Sequence, residues 1–420
     1  MHRYFVYFSV LTAVLTVPLE ASPQNERLEK VVIVQRHGVR APTKSDTELS
    51  QYSREPWQKW PIAPGELTDK GASGAEAMGR SIAKFYRAHG LLRNPEQDVF
   101  VWSDSADTRT VQSGDAVARG LHRTAGAAHA GKSTDTLFSA HDAGICPPAR
   151  ADIERTLTNN NKSDINALGG TYEKAVSAMA QLLYPGINKK FCATNAHKAC
   201  LFISGKNAIK GDGWDTKMTG PLATGSSLSE NLLLEYAQGF PAPGWGRATE
   251  TRITEIMALH NIYSRLMRAN KAVASRRGAA LAQSIVDQLT DKPSNFTDAA
   301  PVPADAKLVL YLGHDGNLSN MAGIYDLHWK LPGQPDDTAP NTAMAFERWR
   351  DAQGHPYVRV RLFYQTLAEQ RRKTYPSAHI QDIVVSNCQE KSGQCPLQAF
   401  AELTLRNTEA TCLTHSPPKL

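Results

Sequence analysis

The chain has 420 residues, of which 41% are hydrophobic and 21% charged, and its formal net charge is +6. These values fit an ordinary globular protein with a large core and two or three structural units. The charge suits a small anionic ligand or a solvated surface. No basic tract is interleaved with aromatics, so nucleic acid is not an expected partner.

In chain order, His2-Arg3 precede the apolar run Tyr4–Val17, and Pro18-Leu19-Glu20-Ala21 offers a cleavage site. The run is too short to span a bilayer, so residues 1–21 read as a secretory signal peptide with the mature chain starting near Ser22. The expected location is periplasmic or secreted, with no membrane contact after removal of the signal. Val31–Gln35 is a short apolar run with little alternation, as in a strand buried on both faces. Residues 45–64, rich in Pro, Trp and polar side chains, read as a long loop. Thr68 is placed to cap a helix whose apolar positions Ala75, Met78, Ile82 and Phe85 recur at helical spacing, and Gly90 stops it. Val99–Trp102 is a second short strand, followed by the polar turn Ser103-Asp104-Ser105 and a helix over Thr108–Leu121.

Residues 151–250 differ in character. Amphipathic helical patterns such as Ala175–Leu183 and Leu228–Gln238 are broken by Gly- and Pro-rich stretches. We expect a mostly helical insertion here, between two parts, 22–150 and 251–420, of one α/β domain. Ile253–Met267 and Ala279–Leu289 read as helices, and Lys307–Leu312 as a third buried strand. Tyr357–Tyr364 alternates, as an edge or antiparallel strand does. Strands separated by helices argue for an α/β fold with a mainly parallel sheet flanked by helices.

Six cysteines occur, at 146, 192, 200, 388, 395 and 412, none in a C-x-x-C pair. Zinc-site spacing is therefore absent, as is H-E-x-x-H, and no metal or other cofactor is expected. An even count in an exported chain reads as disulfides. Spacing leaves their connectivity open, although 192–200 and 388–395 would close small local loops.

Three apolar strands end in polar groups: Arg36-His37-Gly38-Val39-Arg40, then Asp104 with Arg109 beyond it, then His314-Asp315. In open α/β sheets ligands bind beyond the carboxyl ends of the strands. A charged cluster there is costly unless it holds something charged. Guanidinium forks match phosphate oxygens, so Arg36, Arg40 and Arg109 form a candidate dianion clamp, with His314 beside them. Gly38 is expected to let the backbone approach the ligand. His37, between two arginines, is a candidate nucleophile toward phosphorus, and Asp315 a candidate proton donor to the leaving oxygen. For Asp315 to carry a proton, the medium must be acidic or its pKa raised.

R-H-G-x-R-x-P after a buried strand, together with a distal His-Asp, resembles the histidine acid phosphatase family, and within it the bacterial periplasmic phytases. "AQGFPAPGWGR", "LPGQPDDTAP" and "FERWR" share the likeness, which covers the chain from about Leu28 to Cys412. The resemblance implies a phosphoglycerate-mutase-like α/β domain with an α-helical domain, and a site between them. It implies that His37 is phosphorylated, that Arg36, Arg40, Arg109 and His314 bind the scissile phosphate, and that Asp315 donates the proton. It adds Thr43, Lys44, Glu230 and Arg277 as pocket residues, and pairs Cys146–Cys412, Cys192–Cys200 and Cys388–Cys395. The implied activity is metal-independent acid hydrolysis of phytate (myo-inositol hexakisphosphate), by a monomer acting on a small anionic phosphomonoester. Glucose-1-phosphatase or a broad acid phosphatase is the alternative. One departure stands out: the phytases read His-Asp-Thr-Asn, whereas this chain reads His314-Asp315-Gly316-Asn317.

Overall fold

The computed structural model describes residues 26–129, 135–141, 144–159, 164–292, 302–303, 305–372, 375–388 and 394–413. The expected signal peptide, 1–21, lies outside them. Ten strands are present among these residues: β1 Arg27–Arg36, β2 Val99–Ser103, β3 Ala128–His129, β4 Ala208–Lys210, β5 Lys217–Thr219, β6 Leu308–Gly313, β7 Ala343–Arg350, β8 Pro356–Tyr364, β9 His379–Ile383 and β10 Cys395–Pro396. β4 and β5 form a separate hairpin. The other strands form one sheet in the order β10-β8-β7-β1-β6-β2-β3, with β9 also paired to β8.

The half of the sheet containing β1, β6, β2 and β3 is parallel, and β7 to β10 add an antiparallel half. The alternation in β8 does mark an antiparallel strand. It is an interior one, flanked by β7 on one side and by β9 and β10 on the other. Both faces of the sheet are buried. Val32, Val34, Val309 and Tyr311 face one apolar core, whereas Val31, Ile33, Leu308, Leu310 and Leu312 face another. This explains the near-continuous apolar runs that the strands show in sequence.

The helix Asp69–Ala88 starts where expected: the Thr68 side chain accepts from the Gly71 N–H at 2.9 Å. Gly38 packs against this first turn. A Cβ there would stand 2.4 Å from the Gly71 carbonyl oxygen. The requirement for glycine at 38 thus comes from helix packing.

A third apolar core is helical. It contains Leu157, Met179, Leu183, Leu228 and Leu232, and continues through Ile253, Ile256 and Leu259 to Met267, Ala272 and Val273. The boundary expected at 250 has no counterpart in this packing, because the helix Glu250–Tyr263 lies along the helix Pro221–Gln238. Val39, Leu49 and Trp57 also enter this core, so the segment after β1 is anchored in the helical lobe. The three disulfides pair Cys146–Cys412, Cys192–Cys200 and Cys388–Cys395. Among the described residues no helix is long and apolar enough to cross a membrane.

Candidate active site

The register of three parallel strands brings the sequence motifs together. Arg36 pairs with Gly313 at the last rung of β1 and β6. The His37 N–H then donates to the Gly313 carbonyl at 3.0 Å, and the Asp104 N–H to the Leu312 carbonyl at 2.9 Å. His37, His314 and Asp104 therefore emerge side by side. The ring centroids of His37 and His314 are 5.5 Å apart and nearly perpendicular.

His37 is buried. Its Nδ1 lies 2.8 Å from the Gly38 carbonyl oxygen, an acceptor, which fixes the proton on Nδ1 and leaves the lone pair on Nε2. Arg109 Nε approaches that Nε2 at 3.3 Å. Burial pushes the His37 pKa well below the ordinary value, and the nearby charges of Arg36, His314, Arg40 and Arg109 push it further. The lowered pKa favours the neutral ring in mild acid, among cations that would attract an anionic phosphate.

His314 behaves oppositely. Burial opposes its charge, but Asp104 and Asp107 outweigh this and raise its pKa. Its Nδ1 is 3.4 Å from Asp104 Oδ2 and its Nε2 2.9 Å from Asp107 Oδ2. Asp107 also accepts from Arg109. Asn317 accepts the His314 N–H at 2.8 Å and donates to the Phe138 carbonyl at 2.9 Å, which fixes the start of the helix Asp315–Tyr325.

Arg36 is buried at the end of β1. It donates to Asp336 Oδ2 at 3.1 Å, to the Thr338 carbonyl at 2.6 Å, and to Glu230. Arg40 reaches the other Glu230 oxygen at 3.2 Å. Burial alone would raise the Glu230 pKa, but Arg40 and Arg36 bring it down to about 2. Glu230 is therefore an ionised bridge between the two guanidinium groups rather than a solvated helix residue.

For Asp315 to carry a proton, an acidic medium or a raised pKa was required, and of the two the structure does not provide the raised pKa. Burial raises its pKa, but Arg268, Arg36, His260 and His314 together hold it well below the usual carboxylate range. Arg268 donates directly to Asp315 Oδ2, and His260 Nε2 lies 3.8 Å from the same oxygen.

Thr43 and Lys44 are exposed on the segment following the motif. The Thr43 side chain and the Arg109 guanidinium flank Gly65. Lys44 lines a pocket of about 390 Å³ with Pro42, Lys59 and Trp60. Arg277 stacks over Trp214, with its guanidinium 5.5 Å from the ring. The arginine that reaches Asp315 is Arg268, nine residues earlier. Gly316 is bounded by open space: a Cβ there would meet nothing within 4 Å. Sequence reasoning missed Asp107, His260, Arg268 and Asp336.

A family model described as "Histidine phosphatase superfamily (branch 2)" matches residues 27–363, a span that includes every member of this cluster. The chain belongs to the histidine phosphatase superfamily, branch 2. Similar members of the superfamily include Phytase AppA of Escherichia coli K12, 30% identical over 96% of this chain and 98% of the relative. A glucose-1-phosphatase of Providencia rettgeri is 24% identical over 97% of this chain and 100% of the relative. Among solved structures, Hafnia alvei phytase in complex with tartrate superimposes with a TM-score of 0.83 at 32% identity, covering 93% of this chain and 99% of that one.

Proposed function

We propose that the chain is a metal-independent acid phosphomonoesterase that hydrolyses phytate through a phosphohistidine at His37. The observation that carries this reading is the buried His37 ring, with Nδ1 on the Gly38 carbonyl, Nε2 facing Arg109 and His314 alongside, its pKa lowered by the nearby charges of Arg36, Arg40, Arg109 and His314. These cations can neutralise the equatorial oxygens of a phosphoryl group, a task that metal ions perform in many phosphoryl-transfer sites. Attack by Nε2 forms the N–P bond as the ester P–O bond breaks. Asp315 protonates the leaving oxygen. It then takes the proton of the water that cleaves the phosphohistidine.

Phytate as substrate is supported by the likeness to the Escherichia coli and Hafnia alvei phytases. The exposed Lys44, in a pocket shared with Lys59, supplies cations outside the primary clamp, where further phosphates would lie. Secretion to the periplasm or beyond is supported by three disulfides and the leader-like N-terminus. Within this reading the protein works as a monomer and the two lobes form one catalytic unit.

The test is phosphate release from phytate and from glucose 1-phosphate, side by side, in mild acid with chelator present. Release from phytate is expected. Release from the sugar phosphate alone would favour the glucose-1-phosphatase alternative. Release from neither would overturn the enzymatic reading.

A further inference from the structure

Asp315, the proton donor of this reading, is bound by Arg268 and held well below the usual carboxylate range by the basic groups around it. Asp315 opens the helix Asp315–Tyr325, whose N-terminus favours a carboxylate. It is faced by basic groups from several elements: Arg36 from the end of β1, His260 from the helix Glu250–Tyr263, His314 from its own chain neighbour, and Arg268. The nearby anions are Glu230, from the helix Pro221–Gln238, itself bound to Arg36 and Arg40, and Asp336, which is bound to Arg36 and lies 3.9 Å from His260 Nε2.

Arg268 differs from the other cations in how it is held. It closes a π-helical turn, Ser264–Arg268, appended to the helix Glu250–Tyr263. Such turns contain one extra residue per turn and commonly re-aim a side chain at a functional site. The turn docks on the helix carrying the donor, with Asn320 Nδ2 donating to the Arg268 carbonyl at 2.9 Å. The guanidinium has secondary contacts on its own segment, with Ser264 Oγ at 3.4 Å and the Tyr263 ring at 5.8 Å. Its side chain is 25% exposed, against 1% for Arg36, so an incoming anion can reach it.

We propose that Arg268 is a positioning residue that keeps Asp315 unprotonated in the free enzyme, and that substrate binding loads the donor by engaging Arg268. The inference rests on the phosphomonoesterase reading. A bound phosphate dianion competes for Arg268 and places like charge beside the carboxylate. Each change raises a carboxyl pKa, typically by about 1–3 for a close charge. Asp315 Oδ2 then takes a proton from solvent. As the Nε2–P bond forms and the ester P–O bond breaks, that proton passes to the leaving oxygen. Asp315 returns to the carboxylate that accepts a proton from water in the second step. A polyanionic substrate loads the donor more completely than a single phosphate.

The experiment is calorimetric titration with myo-inositol hexakissulfate at pH 5, in two buffers of different ionisation enthalpy. Sulfate esters stay ionised there, so every proton counted belongs to the protein. The wild type is expected to take up about one proton more per ligand than Asp315→Asn, with Arg268→Gln taking up clearly fewer than the wild type. Equal uptake by the wild type and Asp315→Asn would overturn the proposal, as would unchanged uptake in Arg268→Gln. Binding without excess uptake defeats this inference alone, whereas no binding at all defeats the underlying reading with it. A second readout is the alkaline limb of kcat/KM, which reports the free enzyme. In Arg268→Gln it should move to higher pH, a shift that a merely structural role would not produce.

Discussion

Glu230→Gln tests how the clamp is held when no substrate is bound. Glu230 bridges Arg36 and Arg40 through its two oxygens. Its carboxyl sits at about 2 instead of the ordinary 4.5, which corresponds to ~3 kcal/mol of stability. The sign follows from the depressed value. This contribution is fully present above the unfolded pKa and is lost as pH falls from 4.5 toward 2. Glutamine keeps the size and one acceptor but gives up the charge. At pH 5 the variant should lose up to ~3 kcal/mol of stability, and its deficit should shrink as the pH is lowered toward 2. Inorganic phosphate should reverse the loss, because an external anion then meets two guanidinium groups no longer bridged by Glu230, with Asp336 the remaining carboxylate on Arg36. A gain of ~1.4 kcal/mol in phosphate binding is a tenfold lower inhibition constant, and at least that much is expected. Denaturant unfolding from pH 2.5 to 6, with and without phosphate, and product inhibition at pH 5 measure both quantities. A variant that binds phosphate no more tightly than the wild type would refute the idea that Glu230 occupies the anion's place.

Two further outcomes follow from the same geometry. A nucleophile must be deprotonated, so activity is present above the His37 pKa and lost as pH falls through it. Because that pKa is depressed, the acid limb of kcat/KM should lie well below 6.5, and Arg40→Gln should move it upward by removing one of the causes. Gly316→Thr should fold normally, since a Cβ there meets nothing within 4 Å. Its thermal stability should be retained or raised by up to ~1 kcal/mol through the loss of unfolded-chain freedom.

Much of this arrangement was legible in the chain. Buried parallel strands announce themselves as unbroken apolar runs, and the polar residues that follow Val34, Trp102 and Leu312 fall where an α/β sheet binds its ligands. The partners of those residues were not legible. Asp336 lies 300 positions from Arg36, and Arg268 lies 47 from Asp315, so only the fold brings them together. Arg268 was hidden for a second reason. It closes a π-turn, which adds a residue to the helical repeat, whereas Arg277 was named from the family resemblance. Asp107 was the recoverable omission, because an acid two positions before an expected phosphate-binding arginine is close enough to orient it. The apolar core of the helical lobe continues past 250, because a change in composition at a Gly- and Pro-rich loop is not a change in packing.

The strand that leads into His37 lies at the seam of the sheet, bonded in parallel to β6 on one side and antiparallel to β7 on the other. Both neighbours are contributed by residues beyond 300, far along the chain from β1. Its amides therefore exchange with solvent only when distant parts of the polypeptide separate, in the most global of the protein's opening events. Heat inactivation and loss of the sheet should then be a single event. His37 is carried on one of the last pieces of the molecule to let go.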